Sequence, residues 1–296
     1  MNKLKQKSSD TDKFKLKDLP KLFAKTYTCW MEKEPFQISA VIAYYAILSL
    51  PGLLILILEL VGSIWGREIV RGELFGEISS AMGPETAQSI QEMITDRGSE
   101  NTSLVATVLG IGVLIYGATG VFYQLQNALN DIWEVKPKYS NEVLATLFMR
   151  LKSFGFILIF GFLLLISFVI TSFLSAFSKQ LSRLLPDGML ELSFGLDLLL
   201  SFGFIYLLFG AMFKYLPSTH VKWGAVKMGA ALTALLFIIG KYALAFYFGK
   251  AEPGSTYGAA GSIILVMLWV SYSSLIVSFG AQFTKIYSDK YLKKKT

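Results

Sequence analysis

Residues 38–64 read ISAVIAYYAILSLPGLLILILELVGSI, and Glu59 is the only charge in the stretch. A helix needs about 20 consecutive apolar residues to cross the hydrocarbon core of a bilayer, and this run exceeds that. Leu, Ile, Phe, Gly and Ala dominate, without the ten-residue alternation of an outer-membrane barrel strand. Five further blocks follow at 104–124, 153–177, 195–216, 225–248 and 258–283. The sequence therefore predicts an all-α polytopic membrane protein with six transmembrane helices and amphipathic interfacial helices. Composition agrees. Of 296 residues, 53% are hydrophobic and 17% charged, against about 25% charged in soluble domains. The first 37 residues are polar and the first span is too long for a signal sequence core, so no cleaved signal peptide is expected. Cys29 is the one cysteine, which excludes a disulfide framework and reads as an inert cytosolic thiol.

Lysine and arginine set the orientation. Of 28 such residues, 21 fall in 1–37, 125–152, 214–227 and 284–296, six fall in the alternate connections, and Lys241 lies inside a span. Basic residues concentrate on the cytoplasmic side of membrane proteins, which puts both termini in the cytoplasm. The net charge of +7 is thus a topology signal and suits anionic lipid head groups. It needs no nucleic acid to explain it.

The chain divides into a cytoplasmic N-terminal segment (1–37), a six-helix membrane domain (38–283) and a basic cytoplasmic tail (284–296). Within 1–37, residues up to about Leu16 read as unstructured. In 18–35, Leu19, Leu22, Phe23, Tyr27 and Trp30 recur at helical spacing. That suits a helix on the inner membrane surface or one docked on the bundle. The outer connection 66–103 carries seven acids against three arginines. Ile69, Leu74, Phe75, Ile78 and Met82, then Ala87, Ile90, Met93 and Ile94, predict two short helices broken at Gly83-Pro84. A solvated cap is the plainer reading, and a lid or partner surface the other. After the second span, Leu125, Leu129, Ile132 and Trp133 form one stripe, while Gln124, Asn127 and Asp131 form a polar one. Gly203 and Gly210, seven apart, suit close helix packing.

The chemistry of a metal hydrolase is missing from the sequence. His220 is the single histidine, and no HExxH, cysteine cluster, GxSxG elbow or Walker loop is present. The expectation is a protein that is not an enzyme and needs no cofactor or metal.

Charge inside the membrane requires an account, because Lys or Asp at a helix centre costs about 2.5–3.5 kcal/mol on insertion scales. Glu59, Lys241 and Asp197 fall at comparable depth in the outer half. One reading has Lys241 paired with Glu59, near Asp197, lining an outward-facing polar cavity. In the others Lys241 snorkels to the outer interface, or forms a purely structural ion pair. Pro51 interrupts the hydrogen bonding of the first span, with Tyr44, Tyr45 and Ser49 preceding it, and these four join the candidate cavity.

Three stretches together resemble one family: SAVIAYYAILSLPGLL (39–54), LQNALNDIW (125–133), and LPSTHVKWGAVKMGA (216–230) followed by YGAAGSIILVMLWVSYSSLIVSFGAQF (257–283). Their order is similar to that of the YihY/BrkB family of bacterial inner-membrane proteins, over roughly residues 20–290. The resemblance implies six spans and a bacterial plasma-membrane location; it fixes no activity, and transport of lipid or lipid-like molecules is the direction in which it points. Members have carried a ribonuclease BN label regarded as a misassignment, and some are linked to serum resistance. The family often has glutamate in a final GAE pattern, where this chain has Gln282. A titratable carboxylate is therefore lost at that position, and Gln282 joins the inner polar face.

Two functions follow. The first is a membrane transporter or lipid translocator. The second is a non-transporting scaffold or envelope-integrity factor acting through partners. The expected partners are membrane lipids and no nucleic acid, with a homo-oligomer or an envelope partner left open.

Overall fold

The computed structural model describes residues 14–95, 119–135, 148, 150–152, 155, 190–251 and 261–292. Every regular element among them is helical. A 3-10 turn at Leu16–Asp18 leads into α1 (Leu19–Met31). Then come α2 (Pro35–Trp65), α3 (Arg67–Met82) and α4 (Pro84–Thr95). Helix α5 covers 119–132. It is followed by α6 (Leu190–Tyr215), α7 (Trp223–Ala251) and α8 (Gly261–Tyr287), which ends in a π-helical turn at Ser288–Leu292.

Prolines and glycines set the boundaries. Pro35 opens α2, where its missing N–H costs nothing. Gly66 and Gly83, both at φ 93°, end α2 and α3 in a conformation that favours glycine. The predicted break at Gly83-Pro84 is present. Pro51, in contrast, does not divide α2: the backbone stays helical from Pro35 to Trp65, a length of about 46 Å at 1.5 Å per residue.

Among the described residues, two helical stretches are long and apolar enough to cross a membrane: Trp223–Phe248, and Ile263–Leu292 running on through the π-turn. Pro35–Leu50 and Ser201–Tyr215 are shorter apolar stretches. All of the expected span at 153–177 except residue 155, and most of that at 104–124, lie outside the described residues.

Helix α8 is the hub, packing against α2, α7 and α1. Its seam with α7 is antiparallel and built on small residues. A β-carbon on Gly229 would overlap Thr284, one on Gly280 would overlap Thr233, and one on Gly240 would overlap the ring of Tyr272. Close backbone approach of this kind substitutes for the hydrophobic drive that lipid abolishes. Gly210 also packs, since a β-carbon there would stand 3.9 Å from that of Ala230, in ordinary contact, whereas Gly203 faces open space. The main core joins Leu129, Phe213, Leu216, Val226, Ala230 and Ala281 at the lysine-rich end of the bundle.

Both amphipathic predictions are refined. Helix α1 docks on α8 through Leu22 and Phe23, with the Phe23 ring set at a tilt against both Phe279 and Phe283. Tyr27, expected on that face, is 56% exposed, and Thr26 is buried instead. The α3–α4 hairpin is not a detached cap. Phe75, Ala87 and Ile90 form one buried cluster with Leu54 of α2 and Val266 of α8. Leu54 lies eleven residues inside Trp65, roughly 16 Å down the helix, so the hairpin packs against the side of the bundle. Ile69, assigned to the apolar face, is 55% exposed.

Candidate functional site

The outer candidate set is only partly described. Lys241 sits ten residues before the end of α7, roughly 15 Å along its axis. Glu59 sits six residues before the end of α2, and Asp197 seven after the start of α6, or roughly 9 and 10 Å. Side chains at Glu59, Asp197 and Pro51 lie outside the described residues. Lys241 is half-buried and follows Phe237 by one turn. Phe237 packs edge-on against Phe209 of α6 and Trp269 of α8. That stripe of α7 therefore faces the bundle, and Lys241 continues it. Among the described residues no side chain forms an ion pair with Lys241.

The residues before Pro51 separate. Tyr44 is 58% exposed. Tyr45 covers Gly120 of α5, its Cδ1 2.6 Å from where a β-carbon would stand. Ser49 is buried and donates to the Ala46 carbonyl at 3.1 Å, within its own helix. These three are thus spent on exposure, helix packing and an internal bond.

The lysine-rich end holds a dense polar network. The hydroxyl of Ser218 accepts from Gln126 Nε2 and Asn130 Nδ2, both at 3.3 Å, and its backbone N–H donates to Asn130 Oδ1 at 2.7 Å. Lys152 donates to the carbonyls of Leu216 (3.0 Å) and Pro217 (3.4 Å), capping the end of α6. Burial pulls the Lys152 ammonium below its ordinary pKa. Lys214 reaches the Val221 carbonyl at 2.6 Å, and Lys222 that of Leu292. Two ion pairs close the rim: Lys33 with Asp131 at 3.3 Å, and Lys285 with Glu134 at 2.6 Å. Their acids are well exposed, so each pair contributes only about 0–1 kcal/mol. Trp30 Nε1 donates to Ser278 at 2.9 Å, tying α1 to α8.

Of the inner polar face, Asp131 takes part through Lys33, and Gln124 and Asn127 are half-buried. Gln282 is 4% exposed, and its Oε1 has no hydrogen-bond partner. The amides that do the joining are Gln126 and Asn130, on the other side of α5. Sequence reasoning missed them. Their i, i+4 spacing opposite a Pro-Ser-Thr connection was the available signal.

A groove of about 830 Å³ lies between α3 and α4, lined by Arg71, Ser79, Pro84, Ala87, Gln88, Gln91 and Glu92. None of the sequence-selected site residues lines it.

The family described as Virulence factor BrkB matches residues 26–296, from within α1 to the last residue. The chain belongs to this family. Among BrkB relatives, the UPF0761 membrane protein MS0032 of Mannheimia succiniciproducens is 25% identical over 281 residues, covering 92% of this chain and 91% of that one. A UPF0761 membrane protein of Tolumonas auensis is 28% identical, covering 90% and 84%. The UPF0761 membrane protein NTHI0384 of Haemophilus influenzae is 27% identical, covering 90% and 94%. No solved structure matches. With relatives named as membrane proteins and two helices long and apolar enough to cross, this BrkB chain is a membrane protein.

Proposed function

We propose that this chain spans the bacterial plasma membrane six times, with both termini in the cytoplasm, and translocates a lipid or lipid-like molecule. The observation that carries this is Lys241. A lysine two-thirds of the way along an apolar helix is costly, and its stripe faces the bundle rather than lipid. A water-accessible cavity shared with Glu59 and Asp197 repays that cost and leaves a charged site open to the outside. The cytoplasmic network supports the same reading, since Ser218, Asn130, Lys33 and Lys285 join four segments into an inner closure. Alternating access requires one side shut while the other is open.

In this reading the chain carries no catalytic chemistry and binds no nucleic acid. Its lysine-rich face contacts anionic head groups at about 1 kcal/mol per residue. The exposed ring of Trp223 beneath Lys214 (5.4 Å) supports that face as an interface.

A second reading, a non-transporting scaffold, is favoured by the dry core around Leu129, Phe213 and Leu216. Reconstitution separates the two. Purified protein in liposomes carrying a fluorescent phospholipid should raise the fraction of label that a membrane-impermeant quencher reaches beyond half. Lys241→Met should return it to the protein-free value. A protein that inserts fully and leaves label distribution unchanged is a scaffold.

A further inference from the structure

The α3–α4 groove stands apart from Lys241 and from the cytoplasmic network. Helix α2 begins beside the Lys33–Asp131 pair, and α3 starts at its other end. The groove lies on the hairpin that folds back from that end along the side of the bundle.

Its lining is chemically balanced. Arg71 is the one cation and Glu92 the one anion, with Ser79, Gln88 and Gln91 supplying neutral polar groups. Gln88 Nε2 donates to Glu92 Oε1 at 3.0 Å and steadies that carboxylate. Arg71 and Gln91 hold other partners too, but a guanidinium has five donors to share. Behind the groove the hairpin turns apolar. Phe75, Ala87 and Ile90 pack on Leu54 and Val266, and Ala87 belongs to both surfaces.

We infer that this groove binds the head group of a zwitterionic lipid bearing a primary amine, with the chemistry of phosphatidylethanolamine. Arg71 is suited to the phosphate, since guanidinium and phosphate form charge-assisted, often bidentate pairs. Glu92 is suited to the ammonium. A phosphatidylglycerol head group brings a phosphate but leaves Glu92 without a cation. A choline head group brings a quaternary ammonium, which donates no hydrogen bonds and is recognised by aromatic cages; no lining residue is aromatic. The groove volume exceeds what a head group needs, so the glycerol backbone fits as well. The inference goes beyond translocation, because it concerns binding whether or not the occupant is carried.

The test uses the full chain in nanodiscs of phosphatidylcholine with equal minor fractions of phosphatidylethanolamine and phosphatidylglycerol. Lipids retained after release into detergent are counted by native mass spectrometry. The expected result is about tenfold enrichment of phosphatidylethanolamine over either other lipid, mostly lost in Arg71→Gln and in Glu92→Gln. Equal retention of the three lipids by the unaltered chain overturns the inference, without any dependence on how the variants fold. Soluble glycerophosphoethanolamine separates the sources. Displacement only at large excess supports the lipid as ligand, whereas binding as tight as the lipid's overturns the lipid assignment in favour of a free head group. Failure here leaves translocation to its own assay.

Discussion

A β-carbon on Gly229 would fall on the hydroxyl of Thr284, and one on Gly280 would fall on the hydroxyl of Thr233. The two pairs are reciprocal across the α7–α8 seam. Each threonine donates to the carbonyl of the glycine four residues before it, at 2.7 Å, so its hydroxyl is satisfied within its own helix. What crosses the seam is contact, and contact this close leaves no room for a methyl group. Gly229→Ala and Gly280→Ala should each destabilise the protein by about 1–3 kcal/mol, the usual cost of overpacking. Thermal unfolding in detergent reads this as a lowered midpoint; an unchanged midpoint contradicts the seam.

Further along the seam, Gly240 lies under Tyr272. Gly240→Ala should be destabilising alone and largely rescued when Tyr272→Ala opens the same space. The double-mutant cycle should return a coupling of about 0.5–3 kcal/mol. Strict additivity of the two changes means that the residues do not touch.

The Asn130–Ser218 contact holds the connection between α6 and α7. Asn130→Ala removes the acceptor of the Ser218 N–H, at a cost of about 1 kcal/mol. Amide exchange at Ser218 and Thr219 should rise about fivefold, the factor that 1 kcal/mol represents, while exchange in the middle of α7 stays as it was. Equal protection in both proteins argues against the latch.

Asp18 accepts a hydrogen bond from the Tyr291 hydroxyl at 2.9 Å, joining the start of α1 to the π-turn. That bond, helped by Lys15 and Lys290, holds the carboxyl below its ordinary value of 3.8. A depressed carboxyl stabilises the fold above its unfolded pKa, and the contribution is lost as pH falls through the folded value. Exchange protection of residues 288–292 should therefore decline below pH 4, and Tyr291→Phe should remove that decline. An acid response identical in both proteins excludes this contact as its source.

The helices were legible because apolar run length and the Gly83-Pro84 breaker act locally. The hairpin's seating was not. Phe75, Ala87 and Ile90 are too few to signal a partner, and only the folded chain shows Leu54 and Val266 beneath them. The Gly–Thr seam escaped notice because its four residues, read along the chain, resemble any small-residue packing. Gln126 and Asn130 were overlooked because Gln124, Asn127 and Asp131 make the longer periodic series on α5. Gln126 and Asn130 gain their role from Ser218, nearly ninety positions away. Buried charge at Lys241 was visible at once, because a lysine in FIIGKYALAF contradicts its surroundings.

The most direct measurement is water access at position 241. Cys29 is the only native cysteine, so Cys29→Ser gives a cysteine-free background in one step, and Lys241→Cys then places one thiol at the site. A cysteine cannot snorkel, so its labelling reports water at that depth. A membrane-impermeant maleimide added to intact cells should modify it from outside, at a rate well above that of Leu235→Cys on the exposed side of α7. Labelling at 241 no faster than at 235 would contradict an outward-open cavity and leave α7 as a packed helix with an isolated charge.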